Sequence, residues 1–113
     1  MKSIGGILTA VAVSSLLALS GCSNAVGCDF REVEDGLNNG PEPRCQERLN
    51  LQALSFGPAC AALSAKVVEG GCPHEGIVFG CAQNADVIDW HYAPLTRADA
   101  ERECGSQAIL DPP

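Results

Sequence analysis

At 113 residues the chain has room for one domain at most, and only 4% of it is aromatic, so a large core is excluded. Its net charge of −7 leaves no basic surface of the kind that attracts nucleic acid or anionic headgroups. Seven cysteines in so short a chain point to a domain that depends on cross-links.

The first segment is Met1-Lys2-Ser3, an apolar run from Ile4 to Leu19, then Ser20-Gly21-Cys22. A short basic start, an apolar stretch and small residues have the layout of an export leader. The run is broken by Gly5-Gly6 and falls short of the roughly 20 apolar residues of a membrane span. Leu19-Ser20-Gly21-Cys22 resembles the lipobox of bacterial lipoproteins at all four positions. That resemblance implies a diacylglyceryl group on the Cys22 thiol, cleavage between Gly21 and Cys22, and a lipid-anchored protein of the cell envelope. Ser23 resembles the enteric-bacterial pattern for onward transport to the outer membrane rather than retention in the inner one. The expected layout is a signal peptide over 1–21, a short tether over 22–27 and a globular domain over 28–113. Removing the leader leaves roughly 90 residues, a size that buries only about 60% of the surface its unfolded chain exposes. All fourteen acidic residues lie beyond Cys22, against six basic ones once Lys2 is gone.

From Cys28 to Arg44 the chain is acidic and then rich in turn residues, with Asn39-Gly40-Pro41 as a turn, and is expected to be irregular. Cys45, Leu49, Ala53 and Phe56 recur at helical spacing behind Pro43, which predicts a helix ended by Gly57-Pro58. A second short helix is expected over 58–65, broken by Gly70-Gly71-Cys72-Pro73. Ile77, Phe79 and Cys81, then Ile88, Trp90 and Tyr92, alternate with their neighbours at the period of half-buried strands, so 83–86 is expected to be the loop of a hairpin. Thr96 with Asp99 forms a capping-box pattern ahead of a last helix that carries Ala100 and Cys104 and ends at Gly105, after which the tail is expected to fray. The fold class implied is a small disulfide-rich α+β domain: two N-terminal helices, a β-hairpin and a C-terminal helix.

An odd cysteine count is resolved if Cys22 carries lipid, leaving Cys28, Cys45, Cys60, Cys72, Cys81 and Cys104 for three disulfides. No pair stands in the Cys-x-x-Cys spacing that thiol-redox and most structural zinc sites use. Six cysteines allow fifteen pairings; neighbour pairing joins Cys28 with Cys45, Cys60 with Cys72 and Cys81 with Cys104. The order Cys28-Asp29, Cys45, Cys60, Gly71-Cys72-Pro73, Gly80-Cys81, Trp90-His91-Tyr92 and Ala100 four before Cys104 is similar to small cysteine-rich lipoproteins that recur in myxobacteria and related bacteria. Here Gly105-Ser106 stands where those proteins carry Gly-Gly, and Phe79 is an extra bulky residue before Gly80-Cys81. The resemblance implies location and fold style and no activity.

His74 and His91 are the only histidines and bound most catalytic and metal schemes. His91 alternates with Trp90 and Tyr92, which places it toward solvent while the two aromatics face the core. A metal held by His91, Asp89 and His74, a Ser106-His91-aspartate site, and calcium at Glu32, Glu34 and Asp35 each lack the rest of the pattern that such chemistry requires. No glycine-rich phosphate loop follows a strand. No metal or cofactor is therefore expected, and nucleic acid is excluded as a partner. The partner implied is the lipid bilayer through Cys22, with an envelope protein as a further one. The expected function is a membrane-anchored, non-enzymatic structural or interaction module of the envelope. The alternatives are a periplasmic inhibitor of a lysozyme or protease, whose basic target would meet the acidic surface, and last a small enzyme.

Overall fold

The computed structural model describes residues 24–33 and 40–113. The strands are β1 (Ala25–Asp29), β2 (Arg44–Leu49), β3 (Lys66–Glu69), β4 (Ile77–Asn84), β5 (Val87–Tyr92) and β6 (Ala108–Leu110). They form one six-stranded sheet in the order β3-β1-β2-β5-β4-β6, and every neighbouring pair is antiparallel. The helices are α1 (Phe56–Ala62) and α2 (Ala100–Cys104), with 3-10 turns at Phe30–Glu32, Asn50–Ala53 and Arg97–Asp99.

Two helices followed by a hairpin are thus not what the chain builds. The helix expected from 43 to 56 is β2 at its start, because Arg44–Leu49 finds backbone partners on both sides, β1 and β5. Cys45 and Leu49 sit four apart in either conformation, so their spacing did not discriminate, and pairing with two strands overrode it. Only the end of that segment is helical, where Phe56 opens α1. β1, β3 and β6 carry little alternation of their own, yet each hydrogen-bonds to a longer strand. β1 begins at Ala25, within the stretch 22–27, and β6 takes up the tail.

The last helix stands where the sequence places it, and so does the hairpin of β4 and β5 except that its loop is shorter than 83–86, since β4 runs on to Asn84. Thr96 and Asp99 make the reciprocal capping box, and Gly105 ends α2 at φ +61°, a left-handed conformation open to glycine. Asp99 Oδ2 accepts from the Thr96 amide at 2.7 Å, and this bond, with Arg102 nearby, lowers the Asp99 pKa.

Cross-strand partners share a face, which separates two layers. One face carries Asp29, Cys45, Trp90, Gly80 and Leu110 in register across the sheet. The segment 70–76 covers it: Cys72 is bonded to Cys45, its amide donates to Glu47 Oε1 at 2.8 Å, and Tyr92 Oη donates to the Pro73 carbonyl at 2.6 Å. Burial pushes the Tyr92 pKa up to about 12, which keeps that donor protonated. The other face carries Cys28, Gln46, Asp89, Cys81 and Ile109 in register. There α1 packs on β1 through Cys28, Phe56 and Cys60, and α2 packs on β4 through Phe79, Cys81, Ala100 and Cys104.

The three disulfides are Cys28–Cys60, Cys45–Cys72 and Cys81–Cys104. Only the last follows neighbour pairing. The other two cross over because Cys28 and Cys45 lie on adjacent strands with side chains on opposite faces, so neither can reach the other. By chain entropy, loops of this length contribute about 3.5 kcal/mol each. Replacing Cys81 and Cys104 together by Ala should lower the unfolding free energy by about that amount in urea titration. Gly80→Ala tests the opposite face: a Cβ there would lie 2.6 Å from the Trp90 ring. Such overpacking should cost about 1–3 kcal/mol by the same titration.

Candidate functional site: the polar strip between the helices

Because α1 and α2 cover opposite ends of one face, the middle of that face, built by β2 and β5, lies between them. It carries Arg44, Gln46 and Arg48 from β2 with Asp89 and His91 from β5. Asp89 is the hub. It accepts from Gln46 Nε2 at 2.9 Å and from Gln83 Nε2 at 3.2 Å, and pairs with Arg44 Nη1 at 3.5 Å. Arg48 Nε donates to Gln46 Oε1 at 2.9 Å, which orients that amide toward the carboxylate.

Both arginines lie over aromatic rings, Arg44 over Phe30 at 4.0 Å and Arg48 over Phe56 at 4.2 Å. Their guanidinium planes lie over the rings while the N–H groups at the edges stay in the network, a use of arginine that combines cation–π contact with hydrogen bonding. Arg44 also pairs with Glu42 at 2.7 Å. A related clamp holds the loop-covered face, where Asp29 takes Arg31 through both carboxylate oxygens at 3.0 and 2.9 Å and the guanidinium lies 3.8 Å over Tyr92. The bond to Asp29 raises the Arg31 pKa.

His91 departs from expectation. It is 5% exposed and stacks on Phe79 with ring centroids 4.8 Å apart. Alternation correctly put it opposite Trp90 and Tyr92, but on the far face it lies between Phe79 of β4 and Arg44 of β2, its partners in register. Trp90 and Tyr92 are buried, as the composition implied. Desolvation lowers the His91 pKa from its ordinary 6.5, with Arg44 acting in the same direction and Asp89 and Glu103 opposing. Among the described residues, the buried side-chain nitrogens without a hydrogen-bond partner are His91 Nδ1 and Trp90 Nε1, neighbours on opposite faces of β5.

The remaining candidate residues scatter. His74 and Ser106 are exposed in separate loops, and no group of three or more His, Cys, Asp or Glu side chains that could hold a metal comes together among the described residues. Glu32 is exposed, whereas Glu34 and Asp35 lie outside the described residues, as do Gly21 and Cys22. The strip itself was missed in the sequence; its signal was the run Arg44, Gln46, Arg48, polar at every second position, which marks a strand face. Chemically, Asp89 already receives two amide donors and a guanidinium, an arrangement suited to holding a surface rigid and presenting polar groups rather than to moving a proton.

The folded protein holds neutral His91, so as pH drops below 6.5 the unfolded chain takes up a proton that the folded one resists. The stability from this group is complete above that pH and is lost on going down toward the lowered folded value. His91→Phe keeps the stack on Phe79 and should therefore lose less stability between about pH 7 and about pH 5, read from urea midpoints; an unchanged loss would refute this origin. No protein-family model, no curated protein and no solved structure matches this chain.

Proposed function

We propose that the chain is a lipoprotein of the bacterial cell envelope, held by lipid on Cys22 after cleavage behind Gly21, with its stapled domain acting as a structural or interaction module. The observation that carries this reading is the cysteine inventory. Three disulfides account for all six cysteines beyond Cys22, in keeping with an exported, oxidised domain, and Cys22 alone is left over at the end of the lipobox-like sequence. The likeness to small cysteine-rich lipoproteins of myxobacteria supports the same reading.

The described residues contain no helix long and apolar enough to cross a membrane; the anchor in this reading is the lipid on Cys22. Ser23 favours the outer membrane. A module rather than an enzyme is supported by the internally paired Asp89 and the buried His91. Cys22→Ser, expressed in a bacterial host with radiolabelled fatty acid, should leave an unprocessed or soluble product without lipid label. Unchanged labelling and retention would refute the assignment.

A further inference from the structure

We propose that Leu51 and Leu54 form a contact that seats the domain on the bilayer beside its own lipid. The inference rests on the lipoprotein reading and adds a protein surface to it. Single exposed leucines are ordinary, but these two are 80% and 78% exposed and stand together. Leu54 donates its amide to the Leu51 carbonyl at 3.3 Å across a 3-10 turn, where side chains three apart eclipse one another. Ala53, between them, turns inward and anchors the turn.

Their position relative to the anchor follows from the sheet. The Asn50 amide donates to the Asn24 carbonyl at 2.8 Å, and Leu49 lies opposite Ala25 in the register of β1 and β2. The turn that bears the leucines thus starts where the described chain starts, and Cys22 is two residues away, a reach of at most about 7 Å. Residues 50–65 contain no Asp, Glu, Lys or Arg, in a chain whose net charge is −7. The segment itself offers anionic headgroups no charge, with Arg48 just ahead of it; the carboxylates nearest the turn are Asp86, which accepts from Asn50 Nδ2 at 3.0 Å, and Glu69, across from Val26, while Lys66 lies toward the other end, across from Asp29. The lipid holds the protein at the membrane, and the leucines set which end of the sheet faces it.

The test uses the full chain, lipidated in its host and reconstituted in phosphatidylcholine vesicles with brominated acyl chains. Interfacial apolar side chains lie about 5–10 Å into the headgroup and acyl boundary, so Leu54→Trp should be quenched about twofold more than the native Trp90 alone. Ile109→Trp, on the far edge strand, should show no extra quenching, and adding Leu51→Asp to Leu54→Trp should abolish the quenching while the lipid label stays. A labelled, vesicle-bound Leu54→Trp protein without extra quenching overturns the contact and leaves the lipoprotein reading standing. Absence of label on Cys22 overturns both. A blue-shifted, unquenched emission with a cross-linked dimer gives the surface to a second copy and overturns membrane seating.

Discussion

A six-stranded sheet has two faces to cover, and this chain has little with which to cover them. α1 has seven residues and α2 five, well below the roughly 12–15 at which an isolated helix begins to hold in water. The segment 70–76 over the opposite face has no repeating structure at all. Each of these three coverings is joined to the sheet by one disulfide: α1 to β1, the 70–76 segment to β2, and α2 to β4. Without those ties the unfolded chain would gain the entropy that the covering layers must give up, and the layers themselves bury too little apolar surface to offset it.

The bridges also decide what the interior can be. Half-cystines are the fully buried centres of the packing on both faces, with Phe79 the one large apolar side chain buried as deeply. Elsewhere the sheet spends polar residues on half-buried positions. Arg44 and Arg48 cover aromatic rings with their guanidinium groups and tie Gln46 and Asp89 into one network. Such a network holds β2 against β5 between the two helices, where no apolar layer reaches. Adjacent residues of β5 illustrate the cost of covering both faces: Trp90 and His91 point in opposite directions and each buries an unpartnered nitrogen.

The ends of the sheet differ in consequence. At one end β1 starts, close behind Cys22, and the uncharged turn with Leu51 and Leu54 stands beside it. Toward the other end lie Asp29, Glu32, Glu42 and the Arg31 and Arg44 clamps. A lipid on Cys22, as proposed, would bring the end of the sheet that bears Leu51 and Leu54 toward the bilayer.

How far the residues spoke for themselves depended on the range of the interaction involved. The hairpin and the last helix were legible because alternation in Ile77–Cys81 and Ile88–Tyr92, and the Thr96–Asp99 cap, are local signals that act within a few residues. That the six cysteines pair was legible from their number and the absent Cys-x-x-Cys spacing. Which cysteines pair, that Arg44–Leu49 is a strand, and that His91 is buried were not, because each depends on a partner brought from far along the chain. β2 exists because β1 and β5 flank it; Cys28 meets Cys60 because its side chain leaves the sheet on the face that α1 covers; His91 is buried against Phe79 of β4. The sequence by itself determined a cysteine set, a hairpin and a capped last helix, and only the tertiary structure decided the sheet, since strand pairing draws its energy from residues that are neighbours in space alone.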